Sequence, residues 1–380
     1  MSADAQFPSA SLDDTASLSQ HLHSLHERIL RTAPGIERIG CALYDPGEGM
    51  LKTFINSTRE GEPLARYQYP LASSASLSAM ARNRSTRRLD YLPQDLDAES
   101  EHSKWVLSMG YTSSFTTPLY YQDQLLAFLF FDSKESDYFT AEVQRELLLY
   151  AQVITMAIAN ELVALRSIMG AVNLAKDFAE LRDLETGAHL ERMARYSRLL
   201  AQAIAEERGV SDEFVENLFI YAPLHDIGKI GIPDRVLLKP GPLDADEWEV
   251  MKTHTTKGRT MVDSISQDLD LTTESANRIM RNIVELHHET LDGSGYPYGL
   301  RGDEIPLESR IITVADIFDA LTTIRPYKEA WPVDQALTEL RRMAKASKID
   351  ADLITVLEDN IDEAILVRDT YLEERATPGS

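Results

Sequence analysis

The stretch Leu224-His-Asp-Ile-Gly-Lys-Ile-Gly-Ile-Pro233 decides how this chain is read. It lies in a region, from about residue 166 onward, where strand-like alternation is absent and helical stripes follow one another. These run over Leu184 to Glu207, Asp212 to Ile230, Asp244 to Ser264, Glu274 to His288, Leu307 to Thr323 and Val333 to Lys345. On a helix, His225 and Asp226 point about 100° apart, so one ion suits them poorly. A cluster suits them better, with the imidazole on one ion and the carboxylate bridging two. A bridged pair of ions ~3.5–4 Å apart can hold and deprotonate a water, which makes a nucleophile for in-line attack on phosphorus. Lys229 falls three residues after Asp226 on the same expected helix face, where its ammonium can hold a phosphate oxygen or stabilise departing charge.

Outward from this stretch, every histidine after residue 102 stands beside carboxylates or other histidines, or within a helical stripe. His189 follows Glu185 by four residues, which puts both on one helix face. His254 stands in Met-Lys-Thr-His, and His287 and His288 are adjacent. Asp316 and Asp319 are one helical turn apart. Imidazole and carboxylate are the donors that borderline divalent metals such as iron, manganese or zinc prefer. A lone buried histidine is usually a hydrogen-bonded core residue, but that reading does not account for five in such company.

At this point a resemblance becomes specific. The stretch 224–233 resembles the core of the HD superfamily of metal phosphohydrolases, and His287-His-Glu-Thr-Leu-Asp-Gly-Ser-Gly-Tyr-Pro297 resembles the loop that names its HD-GYP subgroup. Arg182-Asp-Leu-Glu-Thr-Gly-Ala-His189, Lys239-Pro-Gly-Pro-Leu243, Val314-Ala-Asp-Ile-Phe-Asp-Ala-Leu321 and Arg325-Pro-Tyr-Lys328 match in order. The match covers about residues 170 to 345. It implies hydrolysis of cyclic di-GMP, to linear pGpG or GMP, by two or three iron or manganese ions. The implied metal ligands are Glu185, His189, His225, Asp226, His254, His287, His288 and Asp316, with Glu185 marking a third ion. Asp226 and Lys229 are the implied catalytic pair. Lys229, Arg325 and Lys328 would hold phosphate oxygens, surface charge being the alternative for the last two. Asp319 would orient a ligand or Lys229. Tyr296 either touches substrate from the glycine-rich loop or merely fixes the loop's shape. Hydrolysis of another nucleotide or a mixed GMP-AMP ring, or a non-catalytic receptor for such rings, are the alternatives.

The rest of the chain sets the frame. With 380 residues and 43% hydrophobic content it has room for two domains. A formal charge of −23 argues against a nucleic-acid polymer as partner. Bound divalent ions would still make the local field of the site positive. No stretch reads as a membrane span, since Leu147 to Leu165 is interrupted by Gln152, Asn160 and Glu161. The N-terminus lacks the basic-then-apolar pattern of a signal peptide. A single cysteine, Cys41, excludes an internal disulfide and fits a cytoplasmic protein.

The first half reads as mixed α/β. A helix carrying Leu22, Leu25, Ile29 and Leu30 is followed by strands at Ile39 to Tyr44 and Leu51 to Ile55. A short helix then spans Leu71 to Met80, and a hairpin joins Ser114–Leu119 to Leu125–Phe131 across Tyr-Gln-Asp-Gln. That order resembles a GAF sensor domain, over roughly residues 15 to 165, whose ligand is not legible. His21, His23 and His26 read as solvated. The expected multidomain organisation is a mobile tail at 1–14, a GAF-like α/β sensor at 15–140, a long helix at 141–183 and an all-α HD-GYP-like catalytic domain at 184–380. Between Thr140 and Asp183 apolar residues recur at Ala151, Ile154, Ile158, Leu165, Ile168, Val172, Ala175 and Ala179. This heptad stripe would form a homodimer seam if it does not pack onto its own domains.

Overall fold

A computed structural model of the protein describes residues 17–96, 101–178, 187–269, 274–324 and 329–372. The expected tail at 1–14 lies outside the described residues. The chain divides into two compact units, the first made almost entirely of residues up to Ala159.

The first unit is an antiparallel sheet with helices. Helix α1 (Leu18–Ile29) starts on a capping box, in which Ser17 and Gln20 satisfy each other's backbone N–H groups. Strands β1 (Arg38–Asp45), β2 (Met50–Thr58) and β3 (Gln68–Pro70) lead into α2 (Ala75–Asn83), capped by Ser74. Then come β4 (Arg87–Leu89), α3 (Leu92–Asp95), α4 (Glu101–Ser108), β5 (Ser113–Tyr121) and β6 (Gln124–Ser133). The six strands lie in the order β3-β2-β1-β6-β5-β4, and every neighbouring pair is antiparallel. The expected hairpin is β5–β6. Its two turn residues, Gln122 and Asp123, both have positive φ, 46° and 66°, the conformation that matches strand twist in a two-residue turn.

Alternation along β1 sorts the two faces of the sheet. Ile39, Cys41 and Leu43 are buried in the core, while Arg38, Gly40 and Ala42 share the opposite face. His26, expected in solvent, is a core residue instead. Its Nε2–H donates to the Ile36 carbonyl at 3.0 Å, and its Nδ1 accepts from the Ser57 hydroxyl at 2.8 Å. Burial pulls its pKa below the ordinary value. It sits one turn before Ile29 on the apolar stripe of α1 and follows that stripe inward.

Helix α5 (Ala141–Phe178) is 38 residues long, or about 57 Å. The first members of the expected heptad stripe, Ala151, Ile154 and Ile158, are buried within the chain. This part of the stripe is therefore not available to a second copy. Among the described side chains of α5, the large apolar ones left exposed are Leu149, Val153 and Met156, which themselves follow a four–three spacing. Ala179 lies outside the described residues.

The second unit is helical: α6 (Gly187–Arg208), α7 (Asp212–Tyr221), α8 (Asp234–Leu237), α9 (Ala245–Lys252), α10 (His254–Leu269), α11 (Glu274–Leu286), α12 (Leu307–Thr322), α13 (Val333–Lys345), α14 (Ala351–Asp359) and α15 (Ile361–Thr370). Their apolar stripes meet in one core containing Met193, Tyr196, Leu200, Leu218, Ile283, Ile311, Phe318, Leu340 and Leu353. Each such side chain contributes ~1.5–3 kcal/mol on burial. Among the described residues no helix is long and apolar enough to cross a membrane.

One element departs from expectation at the decisive place. The helix expected over Asp212 to Ile230 stops at Tyr221, and two 3-10 turns follow, Ala222–Leu224 and Ile227–Gly231. Pro223 supplies the physical reason, since it lacks the N–H an α-helix needs there. His225 and Asp226 fall at the junction of the two turns, with Asp226 at φ −103°, ψ 13°. Gly228 lets the second turn press against α10. A Cβ at Gly228 would lie 1.8 Å from the His254 carbonyl oxygen and 2.5 Å from the Gly258 nitrogen. Gly258 is equally cramped, with Val284 2.4 Å from its would-be Cβ. Two glycines thus bring the Asp226 turn and the start of α10 into backbone contact.

Candidate metal centre

Six of the eight expected ligands come from helix ends or from the turns between helices. His189 lies in the first turn of α6, and His254 begins α10. His287 and His288 follow the last residue of α11, and His225 and Asp226 occupy the turn junction. Among the described ones, only Asp316 comes from mid-helix, on α12. The structure gathers these residues into two groups, Asp226 with His254, His287 and His288, and His189 with His225 and Asp316. Within each group the nearest donor atoms lie within 4.8 Å of one another. Glu185 lies outside the described residues, as do Arg325 and Lys328.

The hydrogen bonds of the imidazoles show which nitrogen faces the centre. Nδ1 of His225 is 3.0 Å from the Ala222 carbonyl, Nδ1 of His254 is 2.9 Å from that of Met251, and Nδ1 of His287 is 2.9 Å from that of Ile283. A carbonyl oxygen only accepts, so Nδ1 carries the proton in all three. A neutral ring with its proton on Nδ1 presents the Nε2 lone pair to the centre. His189 reaches the same tautomer through a carboxylate, its Nδ1–H donating to Asp319 Oδ2 at 2.7 Å.

Asp226 stands between the two groups. Its Oδ1 lies 3.2 Å from His254 Nε2 and 3.7 Å from His287 Nε2, and its Oδ2 lies 3.3 Å from His225 Nε2 of the other group. Oδ1 is buried and accepts no hydrogen bond among the described residues. The Nε2 atoms of His254 and His287 are 3.5 Å apart. Lone pairs thus face lone pairs with no proton between them, an arrangement that repels itself and that a cation would satisfy. The residues present fit divalent metal ions.

The electrostatics agree. Burial pushes the Asp226 carboxyl upward, but the Lys229 ammonium 2.8 Å from Oδ2 is the largest of the influences that hold it well below the usual carboxylate range. Burial lowers the pKa of His287, and still more that of His288, whose neighbour His287 adds to the effect. The carboxylate is charged and these two imidazoles are neutral, the states in which both bind metal.

Surrounding groups fix the ligand candidates in place. Asp319, one turn after Asp316, receives the His189 ring and also Arg192 Nε at 2.6 Å and Nη2 at 2.9 Å. Of the two partners expected of Asp319, a ligand candidate or Lys229, the structure places it on the His189 ring. Thr313 donates to the His287 carbonyl at 2.7 Å. The glycine-rich loop folds back over the centre. A Cβ at Gly295 would lie within 2.6 Å of the backbone of His288, Glu289 and Thr290. This brings the Tyr296 ring 4.8 Å from that of His288, with Lys252 6.0 Å and Trp248 6.2 Å from it.

Two organising residues were not assigned from the sequence. Arg192 repeats the His189 position one turn later and shares its partner. Glu289, buried, accepts from the backbone N–H groups of Tyr298, Gly299 and Leu300 at 2.6, 3.1 and 3.0 Å, which ties the loop's far end to the histidine pair. The only available signals were the three-residue spacing to His189 and a glutamate heading a glycine-rich run.

Residues 178–353 match the HD domain family. The chain is 48% identical over 167 residues to a cyclic di-GMP phosphodiesterase of Thermotoga maritima, covering 44% of this chain and 42% of that protein. It is 50% identical over 164 residues to the cyclic di-GMP phosphodiesterase response regulator RpfG of Xanthomonas campestris, covering 42% and 40%. It is 37% identical over 236 residues to the 3'3'-cGAMP-specific phosphodiesterase 2 of Vibrio cholerae, covering 60% and 42%. The chain thus spans about two fifths of the length of these curated relatives. Among solved structures, the GAF domain/HD domain protein from Geobacter sulfurreducens aligns at a TM-score of 0.30 and 14% identity, over 40% of this chain and 97% of that one. The helical scaffold and the clustered imidazoles around a His-Asp pair fall within one segment, residues 178–353, and it is this segment that matches the HD domain family.

Proposed function

We propose that this protein is a phosphodiesterase that hydrolyses cyclic di-GMP to linear pGpG or GMP, using two or three divalent ions, iron or manganese. The observation that carries the reading is Asp226, which turns one oxygen to each of two groups of imidazole lone pairs. His254, His287 and His288 with Asp226 would hold one ion. His189, His225 and Asp316 would hold a second, and Glu185 would add a third. Bound there, such ions supply Lewis-acid charge and lower the pKa of a water at neutral pH.

The chain's own groups do the rest. Asp226 keeps its charge because Lys229 lies beside it, and Asp319 with Arg192 holds the His189 ring in the required tautomer. Tyr296 forms a wall next to His288, where it limits access of water and offers a ring face to substrate. Lys229, Arg325 and Lys328 contribute positive charge toward phosphate oxygens. We further propose a sensor domain at 15–140 joined to the catalytic domain at 184–380 by the helix at 141–183. A homodimer would form through that helix, using Leu149, Val153 and Met156, in the cytoplasm. The relative named for 3'3'-cGAMP favours a second reading in which the mixed ring is the substrate.

The test is turnover of both rings by protein purified without oxygen or chelator, with its metal content measured. Conversion of cyclic di-GMP to a linear product, lost on chelation and regained with iron or manganese, is expected. Preference for the mixed ring selects the second reading. Tight binding of either ring without cleavage by metal-replete protein would overturn the enzymatic one.

A further inference from the structure

The first unit contains a cavity of about 530 Å³, within the ~300–1,000 Å³ typical of small-molecule sites. Its chemistry is unusual for the inside of a strongly acidic chain, because two arginines line it. Arg38 lies on the face of β1 that it shares with Gly40 and Ala42. A Cβ at Gly40 would come within 2.4 Å of the Arg38 guanidinium, so the glycine is what lets that group lie across the sheet. Asp132 is 2.5 Å from Arg38 Nη1 and accepts also from Ser114 Oγ at 2.7 Å.

Arg87 has no such partner. Among the described residues no carboxylate lies within ion-pair distance of it. It donates only to two hydroxyls, Ser76 Oγ at 3.2 Å and Thr116 Oγ1 at 3.3 Å, at the long end for hydrogen bonds. Ser76 belongs to the first turn of α2, and residues Ser74 to Leu77 of that turn also line the cavity. A cation thus faces the positive end of a helix dipole, where an anion is the favoured neighbour. The Nε–H groups of both Arg38 and Arg87 are buried and have no acceptor among the described residues. Among the described residues, two arginines against one carboxylate leave this pocket net positive.

Much of the remaining lining is aromatic. Tyr67 stacks on Tyr69 at 6.1 Å and on His102 at 5.8 Å, and His102 lies 6.1 Å from Phe130. Burial, aided by Arg38, pulls His102 down to about 4, so at neutral pH it is an uncharged ring.

We propose that this cavity binds a small planar organic anion, its carboxylate, sulfonate or phosphate on Arg87 and the first turn of α2, its ring against Tyr67, His102 and Phe130. Nothing in this depends on the metal centre. The anion supplies the counter-charge that Arg87 lacks among the described residues, and a forked guanidinium suits a planar anionic group.

Calorimetric titration of the full chain with 2-naphthoate, 2-naphthyl phosphate and the uncharged 2-naphthamide tests it. At least one anionic probe should bind ten- to a hundredfold or so tighter than the amide, the range of charge-assisted hydrogen bonds. The better of naphthoate and naphthyl phosphate identifies the anionic group. Arg87→Gln should remove that advantage while leaving the amide's affinity unchanged. Ala42→Phe, which fills the cavity from β1, should weaken all three and serves if Arg87→Gln does not fold. Equal binding of charged and uncharged probes, no binding of either anion, or anion affinity that survives both substitutions would overturn the proposal.

Discussion

Replacing Asp319 by asparagine isolates the group that holds His189. The carboxylate accepts three N–H donors, one from His189 and two from Arg192, and is only 1% exposed. An amide of the same shape offers one oxygen and one NH2. Whichever way it turns, a donor faces a donor, and the buried Arg192 charge loses the carboxylate of Asp319. Arg192 keeps its bond from Nη1 to the Tyr371 carbonyl at 2.8 Å. Breaking a buried ion pair from one side costs about 3–5 kcal/mol. The retained carbonyl bond and the similar shape put Asp319→Asn near ~3 kcal/mol, a large share of the ~5–15 kcal/mol of a typical domain. The His189 ring would also lose its fixed tautomer, which weakens metal affinity by ~10–100-fold in comparable sites.

Urea unfolding of chelated protein, followed by circular dichroism, reads the first effect, and competitive metal titration reads the second. The pH dependence adds a third readout. Burial pushes the Asp319 carboxyl up, but its bonds to His189 and Arg192 outweigh this and hold it below the usual value. A depressed pKa gives stability that is present above the unfolded-state value and lost as pH falls through the folded-state value. The gap between wild type and Asp319→Asn should therefore be full at neutral pH and close on acidification below about 4. A variant within ~0.5 kcal/mol of wild type, with unchanged metal affinity, would refute the reasoning.

Three further outcomes follow from other features. Gly228→Ala puts a methyl group 1.8 Å from a backbone oxygen that cannot swing away, so calorimetry should show destabilisation of at least ~1–3 kcal/mol. An unchanged Tm with full metal content would mean that the turn and α10 are not locked together. Asp226→Ala should reduce turnover to background while far-UV circular dichroism stays helical, and appreciable turnover would place the reactive centre elsewhere. The Cys41 thiol, which burial pushes up to about 12, should be only ~10⁻⁴ thiolate at pH 8. Ellman's reagent should then find no thiol in the folded chain and one in denaturant, and rapid labelling of folded protein would contradict that.

Much of this architecture can be read in the residues themselves, and the exceptions have physical causes. The helical stripes from α6 to α13 carry their period in sequence, and so do the central strands. The outer strands β3 and β4 have three residues each, too few for alternation to show. Pro223 announced a break, yet the apolar run around it reads as helix because 3-10 turns bury the same side chains. The donors of the centre were nameable one by one from residue type and family resemblance. Their division into two groups around Asp226 was not, because it depends on the backbone approach that Gly228 and Gly258 allow. Arg192 and Glu289 escaped for a related reason. Their partners lie on α12 and in the 298–300 backbone, and nothing in sequence spacing marks such contacts.

The bonds from His225, His254 and His287 to the carbonyls of Ala222, Met251 and Ile283 bear on how such a centre can change over time. Each acceptor is main chain, three or four positions upstream, so it persists whatever side chain stands at 222, 251 or 283. Drift at those positions leaves the lone pairs aimed as before. His189 is different, because its aim depends on a side chain 130 residues away. Mutational tolerance should therefore be uneven across the centre, with the rings of His225, His254 and His287 insulated from side-chain drift and that of His189 tied to Asp319 and Arg192. Transplanting these four rings into another helical scaffold would require only local backbone for the insulated three, but a matched pair of helices for His189.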